Sequence, residues 1–330
     1  MRRTLVAIDA VGAVLLAALF AADAQQPGKV HRVGCLMGDS RDGAYARSVS
    51  VFLPEMLRRS GYVEGQNLVL EWRWGDGKIE RLREGAADLI RLNMDVIIAS
   101  SNGPIATARK ATKTIPIVMV GGNVPVEAGI IESLARPGGN ITGTTYTPPE
   151  VATKNLQLVK DFFPRTRRLS VVYDPTFVGM MQYKAALDRV APSIGIVLHY
   201  VEVRRPDDFA LAFAAIEKAR PDALAIIPTE VIRTNVERLI QFAHKRKLPT
   251  FGSGRNVVDA GGILYYGPDT RQIWERSVSY VDRVLRGARP SELPVEQPDR
   301  YELIVNLKAA RALNLTIAPA LLQRADHVID

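Results

Sequence analysis

Three short groups of polar residues punctuate the first half of the chain, each directly after a hydrophobic run: Asp39 with Ser40, Ser100 with Ser101 and Asn102, and Asn123. Their carboxylate, hydroxyl and amide groups supply donors and acceptors for a small polar ligand. The second half offers a comparable set in Tyr146 and Thr147, Asp174, Thr229 and Glu230, and Arg255 with Asn256. A ligand carboxylate would be held by hydroxyls and backbone N–H groups at a helix N-terminus, with Arg255 as counter-charge; a ligand amino group would need Asp174 or Glu230. Tyr146, Tyr183 and Tyr266 are candidates to stack on a ring. Taken singly, Ser, Asn and Asp are ordinary turn formers and helix caps, and each tyrosine also suits a core or rim position. Recurrence at successive strand ends is what points to a site.

Signatures of catalysis are missing. No Gly-x-Gly-x-x-Gly follows the first strand, and there is no Walker loop and no Gly-x-Ser-x-Gly elbow. His31, His199, His244 and His327 fall in a leader, a strand and two helices, without metal-ligand pairing. The single cysteine, Cys35, excludes an intramolecular disulfide and any multi-cysteine metal site, and its apolar run Val33–Met37 marks it as a small buried hydrophobe. Binding without catalysis, metal or cofactor is the expectation. An α/β enzyme whose triad assembles only in space is the rival class.

The elements that must position these residues follow a repeated strand–loop–helix plan. In the first half the patterning predicts strands at 31–37, 67–72, 94–100 and 115–120, with helices before 61 and at 79–92, 105–112 and 126–135. The continuous apolar strands are those of a parallel sheet covered on both faces. Arg136 to Tyr146 packs one Pro and three Gly ahead of a Thr-rich extended tail, and the same plan then restarts. Helices are predicted at 149–163, 183–190, 209–219 and 233–245, alternating with strands at 169–173, 197–203, 223–227 and 249–252. A strand at 263–267 is expected to return to the first lobe, followed by a helix at 270–285, a strand at 301–305 and two short helices. The duplication predicts an α/β fold of two doubly wound parallel-sheet lobes joined by a three-strand hinge. Lobe one is expected at 30–141 plus 268–290, lobe two at 142–263 plus 298–330, with hinge crossings near 138–146, 260–268 and 288–298. Ligands of such sheets bind at the carboxyl ends of the strands, where the polar groups lie.

A length of 330 residues has room for about two domains, and an apolar share of 47% is that of a globular protein rather than a disordered one. The net charge of +8 comes from scattered Lys and Arg with no long basic run, so a solvated basic surface is favoured over nucleic-acid binding. Arg2 and Arg3 precede an apolar segment, uninterrupted from Ala10 to Ala22, that is too short to span a bilayer, and Ala22-Asp23-Ala24 offers the small residues of a signal-peptidase site. Residues 1–24 are therefore expected to be a signal peptide cleaved after Ala24, leaving the mature protein in the periplasm.

Four blocks carry a family resemblance: Ala135-Arg-Pro-Gly-Gly-Asn-Ile-Thr-Gly143, Ala260-Gly-Gly-Ile-Leu-Tyr-Tyr-Gly-Pro-Asp269, Leu293-Pro-Val-Glu-Gln-Pro298, and the run from Leu303 to Asp326. The chain resembles the ABC transporter substrate-binding proteins of the type I periplasmic fold, in the group with tryptophan- and tyrosine-binding members. The resemblance implies capture of a small organic solute, an amino acid or an aromatic or carboxylate compound, in an interlobe cleft, and delivery to an inner-membrane ABC permease. It implies no catalytic residues. Many members have a Ser-Asp-Pro-Val-like segment after the fourth strand; this chain has Gly122-Asn123-Val124-Pro125-Val126, without the acidic group. A sensory protein presenting its ligand to a membrane receptor would look the same in sequence.

Overall fold

Aliphatic runs with polar residues only at their ends become buried strands here, because helices cover both faces of each sheet. The computed structural model describes residues 29–146, 150–177, 179–227 and 229–330. The expected signal peptide, residues 1–24, and Thr147 lie outside the described residues.

The first sheet has five parallel strands in the order β2-β1-β3-β4-β5. They are β1 (His31–Met37), β2 (Leu68–Trp74), β3 (Val96–Ser100), β4 (Ile117–Gly122) and β5 (Ile141–Thr145). Helix α1 (Ala44–Arg59) lies on one face, and α2 (Ile79–Arg91) and α3 (Asn102–Ala111) on the other. The second sheet runs β12-β11-β10-β9-β8-β6-β7. Its strands are β6 (Arg168–Tyr173), β7 (Val197–Glu202), β8 (Ala223–Ile226), β9 (Thr250–Gly252), β10 (Leu264–Pro268), β11 (Tyr301–Asn306) and β12 (His327–Ile329). One face carries α4 (Glu150–Phe162), α5 (Met180–Val190) and α11 (Leu307–Ala312); the other carries α6 (Phe209–Ala219), α7 (Glu230–Thr234) and α8 (Val236–Lys245). The short helices α9 (Arg255–Asp259) and α12 (Pro319–Leu322) lie in connections, and α10 (Thr270–Leu285) joins β10 to the last crossing.

The order 7-6-8-9-10 in the second sheet repeats 2-1-3-4-5 in the first, so both halves reverse strand order after their first strand, between β1 and β3 and between β6 and β8. That reversal opens a crevice at the carboxyl edge of each sheet. Register keeps the crevice level: Met37 pairs with Ser100, and Val172 with Ile226.

Several local expectations change, and His327, expected in a helix, opens the short strand β12 beside β11. Residues 141–145 are no free crossing strand; they complete the first sheet as β5, beside β4. The strand expected to return to the first lobe, β10, stays in the second sheet, parallel to β9 and antiparallel to β11. Its place is set by the Gly261-Gly262 turn, after which the Ile263 N–H bonds Thr250 O at 2.8 Å. What returns to the first lobe is the following helix. Residues 126–135 form turns, not a helix, because Pro125 O takes the N–H groups of both Ile130 and Ile131 around Gly129 at positive φ. The helix expected at 233–245 starts earlier and is broken at Asn235 into α7 and α8.

Helix α10 is capped by Asp269, whose side chain accepts the Gln272 N–H at 3.1 Å. It buries Trp274 and Tyr280 in the first-lobe core, with Trp274 edge-on to Phe52 at 5.4 Å and its indole N–H donating to the Tyr45 hydroxyl at 3.2 Å. Beyond it, Glu296 runs alongside β5: Thr145 N–H donates to Glu296 O at 2.8 Å, and Glu296 N–H to Gly143 O at 3.0 Å. The chain thus passes between the sheets after β5, after β10 and before β11, and the first and third passages lie side by side.

Candidate functional site

The loops after β1 and β3 face the start of α7 across the gap between the two sheets. Asp39, 4% exposed, follows β1; its Oδ1 accepts from the Nε of Arg233 on α7 at 2.5 Å. Ser101 follows β3 at the N-cap position of α3 with φ 72 and ψ 167, a conformation costing a non-glycine residue about 1–3 kcal/mol. Its hydroxyl donates to Glu230 Oε1 at 2.9 Å, and the Glu230 carboxylate lies against the backbone of Gly103. That approach requires glycine: a Cβ on Gly103 would lie 2.5 Å from both Glu230 oxygens, and one on Gly38 would lie 2.6 Å from Oε1.

Two carboxylates and one guanidinium therefore share a buried cluster across the lobes. Burial pushes the Glu230 carboxyl above the ordinary glutamate value, against the opposing pull of Arg233 and Ser101. Burial alone would lower the Arg233 pKa, but the charges of Asp39 and Glu230 hold it above its ordinary value. The Tyr45 hydroxyl, pushed up to about 12 by burial and the Asp39 charge, lies beside Ser100 Oγ at 3.4 Å. Asp39 Oδ2, Arg233 Nη2 and Thr229 Oγ1 are buried and have no hydrogen-bond partner among the described residues. Left so, each carries a desolvation cost of about 1–3 kcal/mol or more.

The remaining sequence-derived candidates divide. Asn102 and Asn123 are locked to each other: the Asn123 N–H donates to Asn102 Oδ1 at 2.8 Å, and Asn102 Nδ2 to Asn123 O at 3.3 Å. They brace the β3 and β4 loops. Tyr146 spans the lobes, with its hydroxyl 3.5 Å from Ser253 O. Ser40 is half-buried in the β1 loop, where its carbonyl accepts the Gly43 N–H. Asn256 is half-buried, and its Nδ2 has no partner among the described residues. Asp174 is not brought to the cluster; its Oδ1 closes a local turn onto the Thr176 N–H and hydroxyl at 2.8 and 2.7 Å. Arg255 is not brought there either, being exposed and aimed at Glu302 (3.3 Å) and Asp259 (3.7 Å). Of the ring candidates, Tyr183 is half-buried near Ser253 and Tyr266 stacks on Tyr301 at 6.0 Å.

Sequence reasoning missed Arg233, the cation at the centre, because it sits inside an amphipathic helical pattern rather than in a loop. Its spacing three residues after Glu230, one helical turn, was the available signal. Among the described residues no group of three or more His, Cys, Asp or Glu could hold a metal ion, and no helix is long and apolar enough to cross a membrane.

Residues 40–329 match the family model for ABC transporter substrate binding proteins. The chain belongs to that family. It is 25% identical over 260 residues to a tyrosine-binding protein of Clostridioides difficile (strain R20291), covering 78% of this chain and 74% of the relative. Its fold is that of a conserved domain protein from Vibrio cholerae, with a TM-score of 0.83 at 27% identity over 91% of this chain and 100% of the other. It is also similar to a Streptococcus ABC domain solved in complex with L-Trp, with a TM-score of 0.82 at 20% identity over 91% and 99% of the two chains. The two sheets of this substrate-binding protein are thus the lobes of a type I periplasmic binding fold. The family binds small-molecule solutes and works with ABC transporters.

Proposed function

We propose that this substrate-binding protein captures a zwitterionic amino acid, with an aromatic one favoured, between its lobes and delivers it unchanged to an inner-membrane ABC permease. The observation that carries the reading is the pair of buried atoms left over in the interlobe cluster. Asp39 Oδ2 is an acceptor suited to an ammonium, and Arg233 Nη2 is a donor suited to a carboxylate; they belong to one ion pair and so lie close together. A free amino acid brings both complementary charges. The tyrosine-binding relative and the L-Trp complex support an aromatic side chain. Ser101, Thr229, Tyr146 and Asn256 line the approach in this reading, and hinge bending is placed at the three passages between the sheets. The setting is the periplasm, with the signal peptide removed after Ala24; intact mass of the exported protein tests that cleavage.

Incubation of the mature protein with L-tyrosine, L-tryptophan, branched amino acids and aromatic carboxylates tests the function. A true solute at a hundredfold excess over Kd stabilises by about 2.7 kcal/mol, a melting shift of about 5 °C or more, and is recovered unaltered. Conversion of any of these compounds, or no shift with all of them, overturns the reading.

A further inference from the structure

The carboxylate that a solute would be expected to place at the N-terminus of α3 is already there, supplied by the protein. Helix α3 is ten residues long, and its start presents the Ser101 hydroxyl and the Gly103 backbone toward the gap between the lobes. Such a terminus, with free N–H groups and the positive end of the helix dipole, is a ready anion site. Glu230 reaches it from the other lobe, and glycines at 38 and 103 leave the room its carboxylate fills.

We propose that Glu230 is a resident carboxylate that fills the α3 anion site in the closed cleft and thereby determines which charged end of a solute the cleft accepts. The inference rests on the reading of the cleft as an amino-acid site and deepens it. With Glu230 in place, a solute carboxylate is turned away from α3 and has Arg233 Nη2 as its charged partner in the cluster, while Asp39 and Glu230 outnumber the one guanidinium. The cleft favours solutes bearing an ammonium, with or without a carboxylate, over those bearing a carboxylate alone. Two acids and one base within a few ångströms, screened from water, are what set that preference.

Two measurements on wild type, Glu230→Gln and Glu230→Ala test it. The first needs no knowledge of the natural solute: melting temperatures are compared in sodium acetate and in sodium chloride at matched ionic strength and neutral pH. Acetate should replace the missing carboxylate in Glu230→Ala and raise its melting temperature over chloride by about 2 °C or more, with no such gain in wild type. Glu230→Gln keeps the side-chain volume and reports whether the protein still folds. The second compares tyramine, L-tyrosine and 3-(4-hydroxyphenyl)propionate. Wild type should bind the propionate at least about tenfold more weakly than the amine, and Glu230→Ala should narrow that ratio by about tenfold. An equal response to acetate in wild type and Glu230→Ala, or an unchanged propionate-to-amine ratio, overturns the proposal. If acetate acts on Glu230→Ala while none of the three aromatic compounds affects any variant, the resident carboxylate stands and the aromatic-solute reading falls.

Discussion

Removing either partner of the Asp39–Arg233 pair should open the protein rather than unfold it. Truncating one member of a buried, hydrogen-bonded charge pair costs about 2–5 kcal/mol when the other charge stays out of water. The Asp39 side chain is 6% exposed and that of Arg233 19%, so the arginine keeps some hydration and the low end, about 2–3 kcal/mol, applies. This cost falls on the closed arrangement alone, because separating the lobes returns the orphaned charge to solvent. At about 1.4 kcal/mol per tenfold, the ratio of closed to open molecules should drop about 30- to 150-fold in Asp39→Ala or Arg233→Ala. Labels attached through Val51→Cys on the first lobe and Met181→Cys on the second would report it, since both positions are exposed and the native Cys35 is buried. The interlabel distance distribution should move to longer values in each single variant. The double variant should move it less than the sum of the two, with a coupling of about 1.5 kcal/mol or more. Unchanged distances in both single variants, or strictly additive effects, would refute the assignment of lobe closure to this pair.

Three further outcomes are expected. Gly103→Ala places a methyl 2.5 Å from the Glu230 oxygens while improving helix propensity in α3, so solute affinity should fall by tenfold or more with the melting temperature of the solute-free protein level or raised. Trp274→Ala should destabilise by about 3–5 kcal/mol in denaturant unfolding, because it empties a site 1% exposed in the first-lobe core. For Asp222, burial pushes its carboxyl up, but the N–H groups of Arg167 and Arg168, each 2.8 Å from Oδ2, outweigh it and hold the pKa below the ordinary aspartate value. Its stabilisation is present above the unfolded aspartate pKa and is lost as pH falls through the folded value. Wild type should exceed Asp222→Asn by about 0.5–1 kcal/mol at neutral pH, discounted for partial exposure, and the two unfolding curves should converge in acid.

The strand ends and their polar residues were legible because parallel strands buried on two faces write themselves as unbroken apolar runs, and whatever follows such a run lies at the sheet edge. Asp39, Ser101 and Glu230 were found that way. Arg233 was not, since on a helix a cation one turn from an acid looks like any solvated surface pair until the opposing lobe covers it. Arg255 shows the converse: it follows a strand end as expected, but Glu302, far along the chain, draws its guanidinium away. Strand partnership is similarly non-local. Nothing in Leu264–Pro268 specifies that β9 and β11, rather than the first sheet, will flank it. Residues 126–135 carry helical spacing, yet Pro125 and the positive φ of Gly129 commit them to turns.

The excursion of Thr270–Leu285 back to the first lobe has a consequence for how the protein is made. Ile273, Trp274, Val278, Tyr280, Val281 and Val284 complete a core whose other buried members lie before residue 121, with Leu293 joining them from farther on. A ribosome that has finished all five strands of the first sheet has therefore not yet supplied the helix that seals one face of it. Until nearly nine-tenths of the polypeptide exists, that half must persist with an unclosed apolar flank, and slow, late consolidation is expected of a chain whose decisive contacts span so many residues.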